Sequence, residues 1–237
     1  MSHKLKEKAL LIADAHYPHF GSEFTLILEA IKLKKIEVSQ LILVGDIFDL
    51  LFGCGEYIKS FSKDAIKLLN EISNELEVIY LEGNHDFYLK PLFPNIKIYP
   101  RALQPIKLEL AQKRGMISHG DKFKTSFFYE VYSFLIRHKV ILKILKIAEK
   151  FVIDKNIEHL KSKNICKKFK GFETRVQEIL SFYPKNLDFV IEGHYHQGVK
   201  IKNYISLPSL ACQKEVGVVK DGEIIFVKVK DFLKGRV

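Results

Sequence analysis

Five short groups of residues with metal-binding side chains occur along the chain in a fixed order. They are Asp14-Ala15-His16, Gly45-Asp46-Ile47-Phe48-Asp49, Gly83-Asn84-His85-Asp86, Ser118-His119-Gly120-Asp121 and Gly193-His194-Tyr195-His196. Cleaving a phosphoanhydride or phosphodiester needs a strong nucleophile and neutralisation of the charge on the phosphorus oxygens. Two divalent ions about 3.5–4 Å apart supply both, by acidifying a bridging water and clamping the oxygens. Such a pair requires one carboxylate that reaches both ions, and Asp46, directly after an apolar run and its glycine, is the natural bridge. Asp14 and His16 are two residues apart, so at an extended strand end they face the same way and suit one ion. His194 and His196 share that spacing and can divide between the ions. Asn84 offers an amide oxygen and His119 an imidazole. This donor mixture suits Mn, Fe or Zn better than Ca. With no thiolate in the set, Mn is the first choice, and Fe, Zn and Mg stay open. Taken singly, Asp14 and Asp46 also read as strand-end turn residues, and Asp49 and Asp86 as caps. Five groups in order carry the chemical reading.

Each group follows a run of apolar, β-prone residues. Ala9 to Ala13, Leu41 to Val44 and Val78 to Leu81 read as buried strands. Helical spacing marks Glu23 to Lys35, with Ser22 as N-cap, and Tyr57 to Leu76. That strand–helix alternation predicts parallel pairing with crossover helices, which gathers strand ends at one edge. Ile106 to Leu110 and Met116 to Ser118 predict a hairpin with its turn at Gln112 to Gly115. Later runs predict strands at Phe189–Ile191, Val199–Ile201, Tyr204–Leu207, Val216–Val219 and Ile224–Val229, the last two joined by an Asp221-Gly222 turn. The expected fold is α/β: two mixed β-sheets packed face to face and flanked by helices, an α/β/β/α sandwich. Residues 1–121 and 186–237 form the core, and 122–185 form an inserted helical cap.

The chain has 237 residues, is 47% hydrophobic and carries a net charge of +10. That is enough for one large domain, and the basic excess favours anionic partners. The cap segment holds fifteen Lys and Arg against six Asp and Glu. Its first part interleaves apolar residues (Phe127, Phe128, Val131, Tyr132, Phe134, Leu135) with Arg137, Lys139, Lys143, Lys146 and Lys150. Those apolar residues either hold a lipid or pack the cap onto itself and the core. Lys167-Lys168-Phe169-Lys170-Gly171-Phe172 mixes cation and aromatic, as single-strand nucleic-acid sites do, or is a solvated helix end. Cys54, Cys166 and Cys212 form no C-x-x-C pair and are odd in number, so a disulfide framework is not expected and a reducing compartment is. The run before Asp14 is too short for a signal-peptide core, and no uncharged run approaches the ~20 residues of a membrane span. A cytoplasmic protein, or one peripheral on the inner face of a membrane, is expected.

The five groups together resemble the calcineurin-like metallophosphoesterases, whose pattern is D-x-H, G-D-x-x-D, G-N-H-D/E, an isolated His and G-H-x-H. The resemblance runs from Asp14 to His196. It implies that Asp14, His16, Asp46 and His196 bind one metal, and that Asp46, Asn84, His119 and His194 bind the other. It implies that His85 lies near the leaving-group oxygen as general acid or charge stabiliser. Asp49 and Asp86 would be carboxylates that orient imidazoles. Within that family, the sequence around Asp46-Ile47-Phe48-Asp49-Leu50-Leu51-Phe52, Asn84-His85-Asp86-Phe87 and Ser118-His119-Gly120-Asp121 is similar to UDP-2,3-diacylglucosamine pyrophosphatases. Those are peripheral lipid A enzymes with a cap at the same place. Their reaction is attack of a metal-bridging hydroxide on phosphorus, giving UMP and 2,3-diacylglucosamine 1-phosphate. Substrate contacts are then expected from Tyr17, Lys122, Lys124, Phe127, Phe128, Tyr132 and Arg137, with acyl chains on the apolar residues and lysines on diphosphate or anionic membrane. One departure is that His85 stands where such enzymes carry Arg. A broader phosphodiesterase, nucleotidase, nuclease or phosphoprotein phosphatase therefore stays open, as does a non-catalytic scaffold binding membrane or protein.

Overall fold

The computed structural model describes residues 2–20, 23–53, 55–147, 150, 158 and 165–236. Ser22, Cys54, His159 and much of the expected cap between 148 and 164 lie outside the described residues. The first sheet contains β2 (Ala9–Ile12), β3 (Gln40–Val44), β5 (Val78–Leu81) and β7 (Lys97–Tyr99), all parallel. Antiparallel β13 (Glu215–Lys220) and β14 (Glu223–Lys228) extend its other edge, giving the order β14-β13-β2-β3-β5-β7. The second sheet orders as β1-β8-β9-β10-β12-β11, from β1 (His3–Lys4), β8 (Ile106–Leu110), β9 (Lys113–Ser118), β10 (Phe189–Glu192), β11 (Val199–Ile201) and β12 (Tyr204–Ser206). A two-residue pair, β4 (Leu51–Phe52) and β6 (Asp86–Phe87), lies beside the site.

Alternation along each strand builds three layers of core. Leu11, Ile42, Val44, Ile79 and Leu81 face Leu108, Leu110, Ile117, Phe189 and Ile191 of the other sheet. On the opposite face Leu10, Ile12, Leu41, Leu43 and Tyr80 meet Phe24, Ile27 and Leu28 of α1 (Glu23–Lys32). They also meet Ala65, Leu69 and Ile72 of α3 (Lys63–Ile72). Each such fully buried aliphatic contributes about 1.5–3 kcal/mol relative to exposure. The expected single helix Tyr57–Leu76 is two, because α2 (Glu56–Phe61) ends at Ser62 and α3 starts after it. The β8–β9 turn sits at Ala111-Gln112, both with positive φ, and not at Gln112–Gly115.

The cap segment does not behave as one unit. Its described residues include α4 (Phe127–Arg137) and α5 (Lys139–Ile147), with Leu142 buried in the core layer that holds α1 and α3. By contrast α6 (Phe172–Leu180) lays Phe172, Val176 and Ile179 on Val190 and Tyr204, so it is the outer helix of the second sheet. Its apolar spacing serves the core layer that β10 and β12 would otherwise expose. A second expectation also changes. Cys166 and Cys212 are disulfide-bonded across 46 residues, because the chain after the cap returns over α7 (Leu210–Gln213). Sequence spacing gave no sign of that pairing. No helix among the described residues is long and apolar enough to cross a membrane.

Candidate metal centre

The parallel order of β2, β3 and β5 brings Asp14, Asp46 and Asn84 to the same edge, each just past its strand. In the second sheet β9 and β10 are also parallel, with Ser118 opposite Glu192, so His119 and His194 emerge side by side. Their rings lie 5.1 Å apart, centroid to centroid. The backbone turns sharply at these points. Asp14, His16, Asp46, His194 and His196 all have φ between 47° and 62°. Non-glycine residues rarely adopt that region, and clusters of such strain mark functional sites. Two glycines make room for the groups. A Cβ on Gly45 would sit 2.3 Å from His119 Nδ1, and one on Gly83 would sit 2.2 Å from Asp46 Oδ1.

The result is two adjacent trios whose ligand atoms lie within 4.8 Å of one another: Asp14, His16 and His196, and Asp46, His119 and His194. Asn84 joins the second trio, with Oδ1 3.3 Å from His119 Nε2. Asp46 falls in the second trio. It adjoins the first through its carbonyl, which accepts the His16 N–H at 3.1 Å. His85 N–H donates to Asp46 Oδ1 at 2.8 Å, and its Nδ1 donates to the Asp49 carbonyl at 2.8 Å. That leaves His85 Nε2 toward the cavity, 4.0 Å from Asp46 Oδ2.

The donor set fits divalent cations on two counts. Neither ring nitrogen of buried His16 has a hydrogen-bond partner among the described residues. A buried ring nitrogen without a hydrogen bond is costly, and a cation removes that cost. The site is also electrostatically arranged for positive charge. Burial opposes the charge on Asp46, but the His119 and His85 imidazoles override it and hold the carboxyl well below the ordinary carboxylate range. Burial likewise opposes the charge on Asp14, and His196 overrides it. Burial and neighbouring His119 push His194 down to about 4, so it is neutral at pH 7 and free to ligate. Cations can replace the protons that balance these carboxylates. Thus Asp14, His16 and His196 would hold one ion, and Asp46, Asn84, His119 and His194 the other.

The supporting residues differ in part from expectation. Asp49 does meet imidazoles, 3.5 Å from His16 Nδ1 and 2.6 Å from His19 Nδ1. Asp86 does not. Its carboxylate accepts the backbone N–H of Asp46, Ile47, Phe48 and Gly83 and the Tyr80 hydroxyl, so it shapes the loops rather than a ring. His19, which belongs to none of the five groups, is held by Asp49. Its position three residues after His16 was the only sequence cue.

A cavity of about 890 Å³ opens over the trios. It is lined by His16, Asp46, Asn84, His85, His194 and His196, and on its rim by Tyr129, Ile165, Lys167, Lys168, Phe169, Lys170 and Tyr195. The seven expected substrate contacts are not among these. Tyr17 packs toward the core, Lys122 donates to the Ala102 and Gln104 carbonyls, and Lys124 pairs with Glu178. Arg137 donates to the Gly83 carbonyl at 2.9 Å, while Phe127, Phe128 and Tyr132 face solvent. On α4 it is Tyr129 that lines the cavity, its hydroxyl donating to Asp121 Oδ2 at 3.1 Å.

A sequence model described as calcineurin-like phosphoesterase matches residues 8–198. The chain is 25% identical over 196 residues to UDP-2,3-diacylglucosamine hydrolase of Photorhabdus laumondii, covering 79% of this chain and 81% of that one. It is 24% identical over 195 residues to the protein of the same name from Proteus mirabilis, with the same coverage. A solved structure of a dimetal phosphatase from Danio rerio aligns with a TM-score of 0.42 at 12% identity, over 94% of this chain and 99% of that one.

Proposed function

The chain belongs to the calcineurin-like phosphoesterase family and is a metal-dependent phosphoester hydrolase, and we propose that its substrate is UDP-2,3-diacylglucosamine. Water cleaves the diphosphate at the UMP phosphorus, giving UMP and 2,3-diacylglucosamine 1-phosphate. The observation that carries this reading is the composition of α4. One side puts Tyr129 on the metal cavity, and the other leaves Phe127 and Phe128 76% and 83% exposed, with Phe134 and Ile144 also exposed nearby. An anionic diphosphate with two acyl chains needs such a junction of polar cavity and apolar surface. Each methylene removed from water contributes about 0.8 kcal/mol. The two relatives bear a name for the same substrate.

When bound, two divalent ions, with Mn the first choice, supply Lewis acidity and neutralise charge on the phosphorus oxygens. His85, held through its Nδ1–H by the Asp49 carbonyl, turns Nε2 to the cavity, where it donates to a leaving group only when both ring nitrogens carry protons. Lys167, Lys168 and Lys170 offset the second phosphate, and Tyr129 adds a hydroxyl. The exposed aromatics and the basic surface suit peripheral contact with an anionic membrane.

Mn-dependent release of UMP from UDP-2,3-diacylglucosamine tests the assignment. Comparable rates on deacylated UDP-sugars or on DNA reject the lipid reading. They would favour a broader phosphodiesterase, the reading to which His85, in place of the expected Arg, lends weight.

A further inference from the structure

His196 is gripped at both ring nitrogens. Its Nε2 lies 3.3 Å from Asp14 Oδ1 within the first trio. Its Nδ1 donates to the Ile165 carbonyl at 2.7 Å, with Cys212 Sγ 3.7 Å away. Ile165 is the residue before Cys166, and Cys166 is disulfide-bonded to Cys212. The two ends of this bond differ in how they are anchored. Cys212 sits on α7, which is bolted to the metal loop: Ser209 Oγ and the Ala211 N–H both donate to the Asp14 carbonyl, at 2.8 and 3.1 Å. Gln213 Nε2 donates to the His196 carbonyl at 2.6 Å. Cys166 instead opens the exposed stretch whose Lys167, Lys168 and Lys170 line the cavity. Within that stretch the Phe169 N–H donates to Gln197 Oε1 at 3.2 Å, and the Phe169 ring meets Tyr195 and Phe172.

We infer that the Cys166–Cys212 disulfide is a thiol-reversible latch on the metal centre, which presents the Ile165 carbonyl to His196 and the lysine rim to the cavity. Cys166 is exposed and Cys212 half-buried, so a small dithiol can reach the bond. A thiolate of the dithiol attacks one sulfur, the Cys166–Cys212 bond breaks, and the second thiol displaces the mixed disulfide. The dithiol leaves as a cyclic disulfide, having given two electrons, and its two protons end on Cys166 and Cys212. With the bond open, Ile165 is no longer held near His196. The imidazole then loses the acceptor that fixes its tautomer and raises its basicity as a ligand. Losing such a partner costs about 10–100-fold in metal affinity. The latch acts on the first trio alone, since the second is held from β3, β5, β9 and β10.

The test is Mn(II) binding to metal-free protein in a Cys54→Ser background, oxidised and after reduction with dithiothreitol and its anaerobic removal. The expected result is two Mn equivalents, one weakened about tenfold or more by reduction and restored by reoxidation, the other unchanged. The Cys166→Ala/Cys212→Ala variant should bind as the reduced protein does without any reductant. Identical isotherms for both equivalents in all forms overturn the latch. Equal weakening of both, together with a lost melting transition of the metal-free protein, also overturns it and makes the bond a fold staple. Absence of Mn binding in every form sinks the metal centre and the latch together. Failure to release UMP leaves these isotherms untouched and counts only against the substrate.

Discussion

The carboxylate of Asp86 accepts the backbone N–H of Asp46 at 3.0 Å, so one buried acid sets the backbone of the loop that carries another. The same carboxylate takes the N–H of Ile47 and Gly83 and the hydroxyl of Tyr80. It thereby couples the loops after β3 and β5.

Replacing Asp86 by Asn puts an amide N–H among these donors and strands at least one of them. The expected cost is about 1–3 kcal/mol, the penalty of leaving a buried donor without its acceptor. Urea unfolding of metal-free protein measures it. A change within experimental error would show that the loops hold without this acceptor.

Gly83→Ala tests how closely the two loops approach. Its Cβ would lie 2.2 Å from Asp46 Oδ1 and 2.5 Å from the Asp46 amide nitrogen. Overpacking of this kind costs about 1–3 kcal/mol and should move Asp46 off its ligand position. Mn stoichiometry is expected to fall from two to one with the fold retained by circular dichroism; two undisturbed equivalents would contradict the geometry.

Loss of a ligand and loss of His85 should separate. Asp46→Ala and His119→Ala are expected to lose Mn at the second position and all turnover of bis(p-nitrophenyl) phosphate. Chelation of wild type should do the same, reversibly on adding Mn. His85→Ala is expected to keep both Mn equivalents and turn over about 10²–10⁴-fold more slowly. Metal loss in that variant would make His85 a ligand.

One pH effect lies far from the site. Lys97 hydrogen-bonds Glu77 and, against partial burial and with help from Lys6, lowers its carboxyl from 4.5 to about 2. A depressed acid stabilises the fold above its unfolded value and loses that contribution as pH falls through the folded one. Glu77→Gln should therefore lower Tm at pH 7 by an amount that disappears between pH 4.5 and 2. Solvent exposure keeps the effect under about 1 kcal/mol. A Tm difference that persists at pH 2 would point to packing instead.

The residues that converge in the two trios, the strand before each group and the two-sheet class were legible in the chain itself. Short unbroken apolar runs that lead into Asp, Asn or His are local patterns, and parallel pairing follows from the strand–helix alternation. Tertiary structure decided what depends on phase and return path. Asp86, on β6 and paired with Leu51 of β4, serves the backbone of Asp46, Ile47, Phe48 and Gly83. Tyr129 rather than Phe128 faces the cavity because α4 is seated on Arg101 and Asp121. Cys166 meets Cys212 across 46 residues, and Ile165 meets His196 across 31, only because the chain turns back on itself. Contacts of that separation leave no periodicity in a sequence; they are set by the packing of layers whose order the residues nearby do not encode.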